Sequence, residues 1–210
     1  MSQFTDAYKE RYGTNPISEE ENGRLIQHVE DLDAISEEQV KALCDGSNVF
    51  FCCLGTTRRQ AGSAQAFFHI DCEIPARLAK IANDSGVGYA SLVTSVGANP
   101  NSWFLYMRTK GEIEERLKNM GYNHVSIWRP GLLDRGEESR RFVEKMTMVF
   151  TSAMPVENVA KAMLQDALDR VGKAPSTSVE AGGEGAAAPA PKNTVYANAD
   201  ITRICGESTL

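Results

Sequence analysis

The apolar run Asn48-Val-Phe-Phe-Cys-Cys-Leu54 ends at the polar turn Gly55-Thr-Thr-Arg58. A run of this kind, without polar alternation, is typical of a strand that is buried on both faces, as strands are in a parallel sheet. The glycine and threonines that follow are residues that end strands and begin turns. We therefore predict a buried parallel strand over 48–54, and the segments on either side of it indicate the kind of sheet.

The same cycle of strand and helix repeats downstream. Four segments continue it, namely a helical pattern at 64–84, an apolar run at 86–95, a helical pattern at 103–119 and an apolar run at 122–128. Strands that alternate with helices of this length predict right-handed βαβ units. The fold class is thus α/β, with a Rossmann-like doubly wound parallel sheet. Ligands of such sheets bind at the carboxyl ends of the strands, so a site is expected in the loops at 55–62, 95–103 and 130–141.

The flanks of this region carry weaker signals. An apolar segment at 26–29 predicts a short strand, and Ser36, with Glu38 and Gln39 nearby, predicts a capping box that begins a helix. Residues 156–168 predict an amphipathic helix. Its buried face is expected to carry Val156, Val159, Ala160, Met163, Leu164, Ala167 and Leu168.

A shift in composition divides the rest of the chain. Residues 172–192 are rich in Gly, Ala, Pro and Ser and almost lack large apolar residues, so we predict a disordered insertion there. Residues 193–196 predict one last strand. The expected organisation is a Rossmann-like domain at 1–171, the insertion at 172–192, and a C-terminal strand and tail at 193–210.

Composition excludes several classes of function. The 210 residues carry a formal net charge of −6, which argues against nucleic-acid binding. No apolar run approaches the roughly 18 residues of a transmembrane segment, and five cysteines without metal-ligand spacing favour a reducing compartment. The three histidines, His28, His69 and His124, are scattered, so no metal site is predicted. The expected location is cytoplasmic.

Tyr106 and Lys110 are four residues apart on the helix predicted at 103–119, so both lie on one face. A nearby ammonium favours a phenolate, and moving a phenol pKa from about 10 to about 7 requires roughly 4 kcal/mol. Ser95, at the end of the preceding strand, supplies a hydroxyl that could orient a carbonyl or an alcohol. The three residues together predict an acid–base site. The alternative is that Lys110 is a surface lysine beside a packed tyrosine.

The residues as a set resemble one known family. The stretches that carry the resemblance are CCLGTTR (Cys52 to Arg58), Ser95, NSWFLYMRTKGEIE (Asn101 to Glu114), WRPGLL (Trp128 to Leu133) and DRGEESR (Asp134 to Arg140). Their order is similar to that of the Tat-interacting protein family, a group of atypical short-chain dehydrogenases with a yeast mitochondrial relative. The similarity runs from about Phe4 to Leu168.

The resemblance implies a Rossmann fold, NADP(H) binding and a catalytic serine, tyrosine and lysine, which fall on Ser95, Tyr106 and Lys110. It further implies cofactor contacts at Leu54, Gly55, Leu133 and Arg140, besides those of Tyr106 and Lys110. It also implies regulatory protein partners, an undefined small carbonyl substrate, and the mitochondrial outer-membrane periphery as an alternative location.

One departure from the family is large. A dinucleotide site needs a Gly-rich turn between its first strand and helix, and no such turn precedes residue 48. We therefore expect a fold that is incomplete at its N-terminus, with the strand at 48–54 unpaired along one edge and poor NADP(H) binding. The two functional hypotheses are an NADP-dependent oxidoreductase that reduces a carbonyl or senses redox state, and a non-catalytic regulatory protein that acts through protein partners.

Overall fold

A computed structural model describes residues 28–134, 153–171 and 192–207. The chain divides into two compact units, Met1–Ile35 and Ser36–Leu210. In the first unit, the N–H groups of Ala34 and Ile35 both donate to the carbonyl of Asp31 and close a turn. Residues 28–30 have no regular secondary structure, so the described part of the strand predicted at 26–29 is not a strand.

The second unit is built on a four-stranded parallel sheet. The strands in chain order are β1 (Val49–Cys52), β2 (Tyr89–Val93), β3 (His124–Arg129), β4 (Leu133–Asp134), β5 (Met154–Pro155) and β6 (Lys192–Ala197). The large sheet has the order β1-β2-β3-β6 with every pair parallel, and β4 pairs with β5 alone. The predicted α/β fold with a Rossmann-like parallel sheet is confirmed.

The helices fall between the strands as the periodicity predicts. They are α1 (Glu37–Cys44), α2 (Arg58–Ala61), α3 (Ala64–Phe68), α4 (Ile74–Asp84), α5 (Leu105–Lys118), α6 (Val156–Val171) and α7 (Asn198–Glu207). The capping box is confirmed, since Ser36 Oγ accepts from the Gln39 N–H and Gln39 Oε1 accepts from the Ser36 N–H. A π-helical turn at His69–Glu73 joins α3 to α4, so the helix predicted at 64–84 is present but not uniformly α-helical.

Helices cover both faces of the central strand β2. Ala90 and Leu92 belong to one apolar cluster, together with Ala79 of α4 and Ile113 of α5. Successive side chains of a strand face opposite sides, and Tyr89 and Ser91 accordingly contact α6 and β3 instead. A second apolar cluster on that side holds Trp128, Met154, Val159, Ala162, Met163 and Ile201.

Strand β1 differs from its prediction. Within the described residues it pairs only with β2 and forms the edge of the sheet, and Phe51 is 43% exposed. The expectation that this strand is buried on both faces was wrong for the face that carries Phe51, whereas Phe50 and Cys52 pack in the apolar core. The expected unpaired flank stays a prediction.

Helix α6 is rotated relative to its predicted buried face. The predicted face included Val156, Leu164 and Leu168, which are exposed, and the observed buried face carries Ala162 and Asp166 instead. The prediction failed because Asp166, a charged residue, is drawn toward the sheet by buried hydroxyl groups. Val159, Met163 and Ala167 are buried as predicted.

The Asp166 carboxylate ties α6 to three strands. Its Oδ2 accepts from Tyr89 Oη at 2.5 Å and Ser126 Oγ at 2.6 Å, and its Oδ1 accepts from Arg170 Nε and Tyr196 Oη at 2.7 Å each. Burial alone would raise the pKa of Asp166, but the four hydrogen bonds stabilise the charged form and lower the pKa below its ordinary value. The charge is therefore a structural part of this interface.

The C-terminal segment is more regular than predicted. The strand at 193–196 is confirmed as β6, and residues 198–207 form α7 instead of a tail. Asp200 Oδ2 accepts from the Ala197 N–H at the start of this helix. The predicted insertion at 172–192 lies outside the described residues apart from Lys192, and the division into domains stays a prediction. No helix of the described ranges is long and apolar enough to cross a membrane.

Candidate functional site

A buried ion pair lies beneath the carboxyl end of β1. Lys110 Nζ on α5 is 2.7 Å from Asp71 Oδ2, and the two side chains are 7% and 0% exposed. Asp71 Oδ1 also accepts the backbone N–H of Thr56 at 2.7 Å. The Lys110–Asp71 contact is thus a buried pair of opposite charges. The lysine side chain is thereby fixed at the strand end where ligands of this fold bind.

Gly55 covers this ion pair with backbone alone. A methyl group placed on Gly55 would lie 3.4 Å from Lys110 Nζ and 3.6 Å from Asp71 Oδ2. A glycine here lets a ligand or a neighbouring side chain approach the main chain closely. Gly55 and Lys110, two of the predicted cofactor contacts, are thus brought together by the structure. Leu54 lies half-buried directly before them.

The position of Asp71 depends on the π-helical turn. Asp71 is the third residue of His69–Glu73, and the wider spacing of the π-turn places it on the buried side between α3 and α4. Such turns occur frequently at functional sites. Sequence reasoning missed Asp71, and the signal for it was an acidic residue within the otherwise apolar face of a predicted helix.

Tyr106 lies at the start of α5, with its side chain 44% exposed and its ring centroid 6.0 Å from that of Phe67. Within the described residues its hydroxyl has no hydrogen-bond partner, and the ammonium of Lys110 is paired with Asp71. Among the described residues no hydrogen bond joins the Lys110 ammonium to the Tyr106 hydroxyl. Both residues lie on α5, four positions apart, and Lys110 is buried with its charge compensated by Asp71.

Ser95 lies two residues beyond β2 in a loop that is tied to its neighbours. The preceding residue, Thr94, donates its N–H to the Trp128 carbonyl at 2.7 Å and its hydroxyl to Glu114 Oε1 at 2.7 Å. The N–H of Val96 donates to the Pro130 carbonyl at 3.0 Å. The loops after β2 and β3 are thus held side by side at the same edge of the sheet.

Glu114 links these loops to the helix of Tyr106. It is 1% exposed, accepts the Thr94 hydroxyl, and forms a bidentate pair with Arg129 at 2.9 and 2.5 Å. This hydrogen bonding raises the pKa of Arg129 above its ordinary value. Tyr106, Lys110 and Glu114 follow one another at intervals of four residues on α5. That spacing was the signal from which Glu114 could have been predicted.

The loop that follows Ser95 packs directly on α5. Gly111 provides the space, since a methyl group there would lie 2.2 Å from the Pro100 nitrogen and 2.3 Å from the Asn99 carbonyl carbon. Farther along, the N–H of Asn99 donates to the Met107 carbonyl, and the terminal atoms of Met107 lie against Gly97. The serine loop and the tyrosine helix are therefore in contact.

The remaining predicted cofactor contacts are less informative. Leu133 lies in β4, where it pairs with Met154, a few residues beyond β3. Arg140 lies outside the described residues. Arg129 is committed to Glu114, and the N–H of Gly131 donates to Asn198 Oδ1 at 2.8 Å, so both contribute to the turn after β3.

Gly55 and Lys110 fit the nicotinamide ribose of a dinucleotide, but the described residues do not fit its pyrophosphate. The close backbone approach at Gly55 and the fixed cation of Lys110 suit a ribose at the end of β1. The pyrophosphate half is not matched by the described residues, since the connection from β1 to α2 holds a single glycine and α2 has four residues. No group of three or more His, Cys, Asp or Glu within the described ranges could hold a metal ion.

Comparisons of the sequence with known proteins identify relatives. Protein HTATIP2 of Rattus norvegicus is 35% identical over 160 residues, which cover 71% of this chain and 65% of that protein. The mitochondrial protein FMP52 of Candida albicans is 45% identical over 96 residues, which cover 46% of this chain and 42% of that protein. No family model matches the chain.

Comparisons of the structure identify the fold. MoeE5 in complex with UDP-glucose and NAD matches 81% of this chain and 61% of its own with a TM-score of 0.56 at 13% identity. The UDP-N-acetylglucosamine 4-epimerase of Methanobrevibacter ruminantium matches 66% of this chain and 56% of its own with a TM-score of 0.51 at 14% identity. Such low identities show a shared Rossmann-like architecture and nothing finer.

The chain spans less than two thirds of the length of these curated relatives. The similarity nevertheless extends over most of the chain itself in the case of HTATIP2, and the sheet order is that of a Rossmann-like fold. The chain is therefore a homologue of HTATIP2 and FMP52 that has a Rossmann-like fold.

Proposed function

We propose that this chain is an NADP-dependent oxidoreductase that reduces a carbonyl group, with Tyr106, Lys110 and Ser95 as its catalytic residues. The observation that supports this most is the buried lysine, fixed between Asp71 and Gly55 at the strand end. A buried ammonium is costly unless it is paired, and here its position coincides with the ligand-binding edge of the sheet. The resemblance to the Tat-interacting protein family supports the same chemistry.

Each residue has a distinct part in this proposal. Tyr106 donates its phenolic proton to the carbonyl oxygen, and Ser95 donates a hydrogen bond to the same oxygen and orients the substrate. Reduced nicotinamide, when bound, supplies the hydride that the carbonyl carbon accepts, so that the product is an alcohol. Lys110, with Gly55 above it, holds the ribose and adds positive charge beside the site. Asp71 keeps Lys110 in place before any ligand binds.

The test is the rate of NADPH-dependent reduction of a panel of aldehydes, ketones and quinones by the parent and by Tyr106→Phe. Loss of the proton donor should lower turnover by about 10² to 10⁴, the usual contribution of general acid catalysis. The control is the melting temperature of Tyr106→Phe, which should equal that of the parent because the Tyr106 side chain is 44% exposed. Equal rates for Tyr106→Phe and its parent would refute the proposal.

The second candidate is a regulatory protein that works through protein partners and binds the cofactor weakly. The short connection from β1 to α2 favours it, because it offers few backbone amides to a pyrophosphate. Calorimetric titration of the chain with NADPH separates the two candidates. Micromolar affinity supports the oxidoreductase, and affinity weaker than millimolar supports the regulatory role.

The fungal relatives named FMP52 are described as mitochondrial. We propose the mitochondrial periphery over the cytoplasm on that basis. Fractionation of cells that express the tagged chain tests this, and recovery only in the cytosolic fraction would reverse the order of the two locations.

A further inference from the structure

The loop between Ser95 and Tyr106 carries an unusual number of exposed apolar side chains. Trp103 is 96% exposed and Phe104 is 73% exposed, and Val96 and Met107 are also exposed. Soluble proteins seldom leave large apolar groups adjacent to one another on the surface unless the surface binds something. We refer to Val96, Trp103, Phe104 and Met107 as the apolar rim.

The apolar rim is continuous with the proposed catalytic residues. Met107 follows Tyr106 on α5 and lies against Gly97, two residues beyond Ser95. Phe104 precedes Tyr106 by two residues, and the ring of Phe67 lies on the other side of Tyr106 at 6.0 Å. A molecule that contacts both the Tyr106 hydroxyl and the serine loop therefore borders apolar groups.

The segment that carries the apolar rim has no charged side chain of its own. Residues 95–107 contain no Asp, Glu, Lys or Arg. The first charged residue beyond them, Arg108, donates Nη1 to the carbonyls of Ser102 and Trp103 at 3.1 and 3.4 Å. Its guanidinium is thus engaged in holding the loop that carries Trp103. An anionic group seated on the apolar rim would lose water and gain no opposite charge from this segment, whereas an apolar group pays no such desolvation cost.

We infer that the site takes a carbonyl compound with a bulky apolar body, and that Trp103 and Phe104 bind that body while Ser95 and Tyr106 contact the carbonyl. This inference rests on the proposed function, since it names the substrate class of the same site. The alternative, that the apolar rim docks on a lipid surface, is a competing outcome of the test.

The two tryptophans provide a readout that does not need turnover. Trp103 is almost fully exposed and Trp128 is fully buried, so the indole N–H signal of Trp128 in the NMR spectrum of isotope-labelled protein is an internal control. The labelled chain is titrated, with and without NADPH, with cyclohexyl methyl ketone, acetone or pyruvate. We expect a saturable shift of the Trp103 signal with cyclohexyl methyl ketone, at least tenfold weaker affinity for acetone, and no response to pyruvate.

Two variants complete the test. Trp103→Ser should weaken the binding of cyclohexyl methyl ketone, followed through the loop amide signals, by about tenfold, which corresponds to about 1.4 kcal/mol. Leu164→Ser removes an exposed apolar side chain from α6 and should leave the affinity unchanged.

The outcomes are distinct. A saturable Trp103 shift in a chain that reduces no carbonyl would uphold the inference on substrate class and refute the proposed function. Absence of a shift in both conditions would overturn the inference even if the chain is active. A shift with phosphatidylcholine vesicles but not with the ketone would overturn it in favour of a lipid surface.

Discussion

Asp71→Asn tests whether the buried ion pair is as important as its burial indicates. The substitution keeps the shape of the side chain and an oxygen that can accept from the Thr56 N–H. It removes the negative charge 2.7 Å from Lys110 Nζ, where the side chains are 0% and 7% exposed. Breaking a buried ion pair on one side typically costs about 3 to 5 kcal/mol, because a buried charge is left without compensation. We expect a loss of about 3 kcal/mol in the free energy of unfolding.

The chain contains a matched control for this substitution. Lys80 Nζ and Asp84 Oδ2 on α4 are also 2.7 Å apart, but their side chains are 66% and 46% exposed. An exposed pair contributes about 0 to 1 kcal/mol, so Asp84→Asn should change the free energy of unfolding by less than about 1 kcal/mol. Urea denaturation followed by circular dichroism measures both variants under the same conditions.

A double substitution completes the argument. Lys110→Met alone leaves the Asp71 carboxylate buried without a cation and should be as damaging as Asp71→Asn. The double variant, Asp71→Asn with Lys110→Met, removes both charges. Its free energy of unfolding should return to within about 1 to 2 kcal/mol of the parent, since removal of a whole buried pair is often close to neutral. If Asp71→Asn and Asp84→Asn have the same small effect, or if the two single losses simply add, then the pair is solvated and its supposed role in fixing Lys110 is wrong.

Asp166→Asn should lower the free energy of unfolding by about 2 to 4 kcal/mol near neutral pH, since four charge-assisted hydrogen bonds become neutral ones. Asp169→Asn, on the exposed side of α6, is the control and should change the free energy of unfolding little. Folding lowers the pKa of Asp166, so the contribution of this carboxylate to stability is complete above its ordinary pKa near 3.9 and is lost as the pH falls through its folded pKa. The urea midpoint of the parent should therefore fall with acid more steeply than that of Asp166→Asn. A parallel pH dependence of the two would contradict this. Gly111→Ala should lower the free energy of unfolding by about 1 to 3 kcal/mol, because the methyl group would lie 2.2 Å from the Pro100 nitrogen. Gly206→Ala in α7 is the control, since its methyl group would meet nothing within 4 Å and the change should be neutral or slightly stabilising. A Gly111→Ala variant that melts at or above the parent temperature would show that the loop is not packed on α5.

The alternation of strands and helices could be predicted because it depends on local periodicity. The runs around Phe50, Leu92 and Ile127 contain enough neighbouring apolar residues to indicate buried strands without knowledge of their partners. Edge and centre could not be distinguished in this way. Phe51 lies in an apolar run yet is exposed, because the exposure of a strand's side chain depends on what packs against that face of the sheet.

The candidate site was predicted in part. Chain order and helical spacing placed Lys110 at the ligand-binding edge, but its actual partner comes from a segment 39 residues earlier, which periodicity cannot reveal. The same holds for Asp166, whose hydroxyl partners lie on β2, β3 and β6. Charged residues inside a protein are placed by distant neighbours, and a pattern based on hydrophobicity assigns them to the surface.

The π-helical turn at His69–Glu73 has a consequence for how this region tolerates changes in length. A π-turn holds one residue more than the α-helical turn it replaces, and each residue of an α-helix advances by about 100°. Deletion of one residue from this turn would rotate α3 against α4 by about that angle and carry Asp71 away from Lys110. It would not yield one regular helix, because Pro75, now in the first turn of α4, would lie in the helix interior, where a proline costs about 3 kcal/mol. The length of this segment is therefore under constraint, and a chain shortened here by one residue would lose its buried charge pair.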